Sequence, residues 1–291
     1  MPRAPEPDPP GIPELPAGLI GRASPRAGIA YRLLRRVWRL VALALGLRIR
    51  VRGLEHLPRD GRGRLVGGYV LAGIPHRAWI DPFLPWGWLP AEPRLAFLGD
   101  ARTMARSPLR RFVVRHVGGI LPIPSHGGPR SFATHLEGAA VVLRADMVFL
   151  LFPEYGPPSP VEASRPIAAG LGYVALRSGA PIVPLVIGGN HELFWGRTIV
   201  VRVLPALDPF ALARLPPGSL APSRGSREER AAAHAIAEGF LAATADAVDA
   251  AWRAAEPRPG AMCAYRVDLG GADEVDDEVA GWLAAAYERA G

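Results

Sequence analysis

Three stretches of this sequence are apolar with almost no alternation: "LVGGYVLAG" (residues 65–73), "MVFLLFP" (147–153) and "APIVPLVI" (180–187). A strand with one wet face alternates apolar and polar side chains. A strand covered on both faces reads as an unbroken apolar run. Segments with helical character separate these runs: "RSFATHLEGAAVVLRAD" (130–146) before the second and "SRPIAAGLGYVALRSG" (164–179) before the third. The alternation predicts an α/β domain over about residues 25–255, with a mixed, mostly buried sheet flanked by helices. Further strands are expected in "LRIRVRG" (47–53), "RLAFLGD" (94–100), "GILPIP" (119–124) and "TIVVRVLPAL" (198–207). Further helices are expected in "SPLRRFVVRHVGG" (107–119) and, as one helix or a pair, over residues 226–255. A chain of 291 residues that is 49% apolar can bury a core of that size, and no internal repeat is visible.

The ends differ from the middle. Residues 1–24 read as an extended Pro-rich tail, without the apolar core of a secretory signal. Residues 25–47 predict an amphipathic helix. Leu33, Leu34, Val37, Leu40, Val41 and Ala44 share one broad face, with Arg32, Arg35, Arg36 and Arg39 around the rest. Such a helix suits an anionic membrane surface, where arginine stems snorkel beside the apolar face. Its apolar run, Leu40 to Leu47, is too short to span a bilayer. The expected location is therefore the cytoplasmic face of a membrane, peripheral or monotopic. The net charge of +7 carries no recognised nucleic-acid motif with it, so nucleic acid is not an expected partner. Residues 256–291 form a C-terminal extension with an acidic turn and a short helix. The single cysteine, Cys263, has no disulfide partner in the chain and no zinc-ligand pattern around it.

Five groups with chemical potential fall at strand ends or loops: His76, Asp81, Glu154, Tyr155 and Asn190. In α/β sheets, ligands collect at the carboxyl ends of strands. In "GIPHRAWIDPF" (73–83), His76 follows a strand, and Asp81 stands just before Pro82, a residue suited to the first turn of a helix. A strand-to-helix junction can bring the two side chains together although they are five residues apart. His76 is then a general base and Asp81 the group that holds its tautomer. No GxSxG motif supplies an enzyme nucleophile, so the base would act on a hydroxyl of the substrate. "HRAWID" offers too few ligands for a metal centre, and His191–Glu192 lacks the second histidine of a zinc-protease motif.

The order of His76-x4-Asp81, "GGILPIP" (118–124), "FPEYG" (152–156) and Pro184 within "PIVPLVI" resembles the glycerolipid acyltransferase family, which contains the 1-acylglycerol-3-phosphate acyltransferases. The resemblance covers roughly residues 50–205. It implies acyl transfer in lipid metabolism, as in phospholipid biosynthesis. The donor would be acyl-CoA or acyl-carrier protein, as co-substrate and without a cofactor. The acceptor would be a lipid hydroxyl, less readily an amine. His76 would deprotonate the acceptor. Glu154, Tyr155, Gly156 and Pro184 would fall in acceptor-binding or flanking motifs. Backbone N–H groups near the helix after Asp81 would stabilise the oxyanion. The second and third motifs depart from the family's pattern. Pro124 stands where the family has a phosphate-binding arginine, Tyr155 replaces a glycine, and Pro157 and Pro158 replace a Thr-Arg pair. Arg102, Arg130 and Arg165 are the substitute cations. The departures point to an acceptor without the usual glycerol phosphate, such as a glycolipid, a terpenoid glycoside or an aminoacyl lipid. They also leave an alternative: a non-catalytic lipid-binding or transport protein on the same fold.

Overall fold

The computed structural model describes residues 24–100, 120–123, 129–155, 165–190, 193–216 and 219–254, with backbone alone for 99–100, 120–123, 129–135 and 137. Seven strands are hydrogen-bonded into one sheet. They are β1 (Arg48–Arg52), β2 (Tyr69–Ile74), β3 (Leu95–Asp100), β4 (Ile120–Ile123), β5 (Val148–Leu151), β6 (Ile182–Gly188) and β7 (Thr198–Val203), in spatial order β1-β7-β6-β2-β5-β3-β4. Every neighbouring pair is parallel except β6–β7. The carboxyl ends of β2, β3, β4, β5 and β6 therefore share one edge of the sheet. The amino ends of β1 and β7 lie at that same edge.

The unbroken apolar runs are explained by two cores, one on each face. Val70, Ala72, Ile74 and Phe149 point to one side. There they meet α3 (Pro129–Arg144), α4 (Gly170–Ser178) and α6 (Arg227–Arg253). Tyr69, Leu71, Val148 and Leu150 point to the other. That side is covered by α1 (Ile29–Ala44) and α2 (Phe83–Trp88), through Tyr31, Ala42, Leu84 and Trp86. α5 is a single turn, Pro209–Leu212. α6 is one continuous helix. The Ser226 hydroxyl accepts from Glu229 N–H at 3.0 Å and caps its start.

Several boundaries differ from the sequence reading. The strand read as centred on residues 65–72 runs Tyr69–Ile74, because Gly68 takes a left-handed φ of 76° immediately before it. The helix expected from residue 164 starts only at Gly170. Pro166 has no N–H and biases Arg165 away from helical backbone. Residues 165–168 run extended instead, pairing with the segment after β5 through Tyr155 N–H to Pro166 O and Ala168 N–H to Pro153 O. The expected helix at 107–119, the tail 1–23 and Cys263 with its extension lie outside the described residues.

α1 turns Arg35 inward. The Arg35 guanidinium is buried and donates to the carbonyls of Gly87 and Leu89 at the end of α2. Arg39 Nε donates to Gly87 O at 2.7 Å, and Trp38 Nε1 to Phe83 O at 2.9 Å. This corrects the expectation that Arg35 faces a membrane. The last carbonyls of a helix lack intrahelical donors, and Arg35 and Arg39 supply them. Ile29, Leu33, Val37, Leu40 and Val41 are left exposed on the outside of α1. Among the described residues, no helix is long and apolar enough to cross a membrane.

Candidate active site

β2 delivers the site. After Ile74 and a cis peptide bond to Pro75, the chain leaves the sheet at its carboxyl edge and places His76 above it. Residues 76–82 then turn back so that α2 begins at Phe83. Inside this turn, the Asp81 carboxylate is completely buried. Its Oδ2 accepts from His76 Nδ1 at 2.9 Å, Arg77 N–H at 2.7 Å and Ala78 N–H at 2.8 Å. Its Oδ1 accepts from Asn190 Nδ2 at 3.0 Å.

A carboxylate in this position only accepts, so the proton between the two groups belongs to His76 Nδ1. The lone pair of the neutral ring is then on Nε2. That nitrogen meets no hydrogen-bond partner among the described residues, and the His76 side chain is 40% exposed. The imidazole rests on Phe152, with ring centroids 4.6 Å apart and planes inclined by 28°. Gly73 makes room for that ring. A Cβ at Gly73 would fall 2.4 Å from Phe152 Cε1.

A second layer holds the main chain of His76. Glu154 Oε2 accepts from His76 N–H at 2.6 Å, and Glu154 Oε1 from Arg165 N–H at 3.0 Å. Arg165 Nη2 donates to His76 O at 2.7 Å and to Glu154 Oε2 at 3.2 Å. The Glu154 side chain is fully buried and that of Arg165 nearly so. The two side chains grip the backbone on either side of the imidazole.

The other predicted residues are scattered. Tyr155 is exposed, and its N–H is tied to Pro166. Pro184 sits buried in the middle of β6, paired with Ala72, away from His76. Arg130 lies in the first turn of α3, described by backbone alone. Gly156, Arg102, Pro124, Pro157, Pro158, His191 and Glu192 lie outside the described residues. Five of the backbone N–H groups around this turn are already engaged. The N–H groups of Arg77 and Ala78 are engaged by Asp81, and those of Asp81, Phe83 and Leu84 by carbonyls of Ala78, Ile80 and Asp81. Among the described residues, no three His, Cys, Asp or Glu side chains gather at metal-ligand spacing.

Two exposed tryptophans lie toward the same edge of the sheet as His76. Trp79, in the turn between His76 and Asp81, is 68% exposed and makes an edge contact with Trp38 of α1. Trp195, just before β7, is 75% exposed and lies against Gly46, beyond the end of α1. The sequence reading did not single out either, nor Phe152 as the platform for His76. A tryptophan between the histidine and the aspartate was the available signal for Trp79.

The family model described as Acyltransferase matches residues 48–188, from the first residue of β1 to the last of β6 and with His76, Asp81 and Glu154 inside it. Residues 48–188 are an acyltransferase-family domain. Among solved structures, the 1-acyl-sn-glycerophosphate (LPA) acyltransferase PlsC from Thermotoga maritima is 18% identical to this chain. That match covers 76% of this chain and 79% of that one, with a TM-score of 0.49. No curated protein matches by sequence. The acyltransferase domain thus spans the whole His76 loop, its Glu154 support and the strand that leads to Asn190.

Proposed function

We propose that this acyltransferase moves a fatty acyl group from an acyl-CoA or acyl-carrier-protein thioester to a lipid hydroxyl, less readily an amine, with His76 as general base. The observation that carries the reading is the His76–Asp81 contact, which leaves Nε2 as the unengaged, lone-pair-bearing nitrogen. The acceptor hydroxyl gives its proton to Nε2 as its oxygen attacks the thioester carbonyl. Asp81 stabilises the imidazolium that forms. The C–S bond then breaks, and His76 returns the proton to the departing thiolate. Glu154 and Arg165 act on this step through the His76 main chain.

Our reading puts the reaction at a membrane surface. The outward Ile29, Leu33, Val37 and Leu40 of α1 support this, together with Trp79 and Trp195 at the site edge of the sheet. Tryptophan suits the boundary between headgroups and acyl chains. Arg36, exposed on the same helix, suits an anionic leaflet.

The test is mass spectrometry of lipids from cells expressing the chain, compared with cells expressing His76→Ala. The acyl lipid that disappears names the acceptor. Purified protein given labelled acyl-CoA or acyl-carrier protein, with a panel of lipid acceptors, should transfer label in a His76-dependent way. No transfer from either donor, with lipid binding that survives His76→Ala, would establish the non-catalytic alternative.

A further inference from the structure

The Asp81 carboxylate has one partner from a remote part of the chain. Asn190 follows the carboxyl end of β6, is 2% exposed, and is 109 residues away in sequence. Gly189 directs it inward, with a left-handed φ of 83°, and a Cβ there would fall 2.5 Å from Thr198 O. The Asn190 amide donates twice, to Asp81 Oδ1 at 3.0 Å and to Pro75 O at 3.1 Å. Both acceptors can only accept, so it is the nitrogen that faces them.

We infer that Asn190 is the positioning residue of the His76–Asp81 pair: by holding Asp81 Oδ1 and the Pro75 carbonyl together, it aims Oδ2 at His76 Nδ1. Without it, the contacts left to the Asp81 carboxylate among the described residues are His76 Nδ1 and the Arg77 and Ala78 N–H groups, all on Oδ2. A carboxylate anchored at one oxygen can pivot about it, so its alignment with the imidazole varies. His76 then loses its single tautomer, and Nε2 carries the proton part of the time. In that form the ring cannot take a proton from the acceptor. The pairing also locks the end of β6 to the end of β2, across the two strands that carry Pro75 and Gly188.

The inference rests on His76 acting as base, but its first readout does not need activity. In neutral protein labelled with ¹⁵N-histidine, the His76 ring, assigned by loss of its signals in His76→Gln, should show one tautomer with the proton on Nδ1. Asn190→Leu keeps the volume and removes both donated bonds. Asn190→Asp keeps the shape and sets a second carboxylate beside Asp81. Both should give a mixed-tautomer signal. In the acyl-transfer assay, kcat should fall roughly tenfold to a hundredfold, the size of one charge-assisted hydrogen bond. The KM values for donor and acceptor should stay unchanged. The unsubstituted protein gives a third readout that survives if neither variant folds: the Asn190 Nδ2 protons should be protected from hydrogen exchange. A single Nδ1–H tautomer in a folded Asn190→Leu protein, or Asn190 amide protons that exchange as fast as exposed ones, would overturn the assignment. An unsubstituted protein that transfers no acyl group would overturn the proposed reaction instead, and the tautomer readout would still decide the role of Asn190.

Discussion

Glu154 holds the main-chain N–H of His76 at 2.6 Å, from a side chain 78 residues further along the sequence. The family resemblance places Glu154 in an acceptor-binding motif. In the structure its Oε1 accepts from Arg165 N–H, and its Oε2 from His76 N–H and the Arg165 guanidinium. The two oxygens serve the loop, and the loop carries His76.

This arrangement separates two outcomes for Glu154→Ala. Removing the Glu154 carboxylate takes a buried acceptor from the His76 and Arg165 N–H groups and from the Arg165 guanidinium, at a cost of about 1–3 kcal/mol. Denaturant unfolding of Glu154→Ala should show a loss of that order. Where folded protein is recovered, kcat should fall while the acceptor KM stays constant. A raised acceptor KM with unchanged kcat would return Glu154 to the acceptor site.

Gly73→Ala tests the platform under His76. The new Cβ would meet the Phe152 ring far inside van der Waals contact. Overpacking of this kind costs typically about 1–3 kcal/mol and shifts the neighbouring ring. The expected result is a lowered unfolding midpoint together with a lowered kcat, because Phe152 carries the imidazole. Phe152→Leu, which relieves the crowding, should recover stability in the double variant but not full activity.

The outer face of α1 should be separable from folding. Val37→Glu and Leu40→Glu fall on exposed positions. Their effect on unfolding free energy should stay within about 0.5 kcal/mol. Sedimentation with anionic vesicles should be largely lost, because the substitutions place charge on the apolar face. Arg35→Met should do the reverse. It takes the donor from the Leu89 carbonyl and leaves Gly87 O with Arg39 Nε, so stability should drop by about 1–3 kcal/mol. Vesicle binding by the folded fraction should persist.

Acid stability should depend on one buried pair. Arg177 donates to Glu229 through Nε at 2.7 Å and Nη2 at 3.1 Å, and Gly225 N–H donates to the same carboxylate at 2.6 Å. The Arg177 hydrogen bond holds the Glu229 carboxyl below its usual range, against the opposing effect of burial. A carboxylate depressed in the folded state contributes stability above its unfolded pKa and loses it as pH falls through the folded one. Unfolding midpoints should therefore decline on acidification below about pH 4.5, the ordinary glutamate value. Glu229→Gln should flatten that decline and lower stability at neutral pH. An identical pH dependence in both proteins would remove Glu229 from the acid transition.

The layering was legible in the order of the amino acids alone. Runs such as "MVFLL" and "PIVPLVI" need apolar cover on both faces, and that requirement alone implies a central sheet between helices. The strand-to-helix junction at residues 74–83 also allowed for the His76–Asp81 contact that the structure shows. The outward apolar face of α1 was legible from its spacing of Leu33, Val37 and Leu40. The inward turn of Arg35 was not, because the donors it supplies serve α2 carbonyls more than fifty residues away. How His76 is held emerges from long-range packing. Asn190, Glu154 and Arg165 reach it from the ends of β6 and β5 and from the segment before α4. Their roles depend on which strand ends lie side by side. Parallel order β6-β2-β5 brings those ends to one edge, and hydrophobic periodicity reports burial within a strand but carries no record of its neighbours.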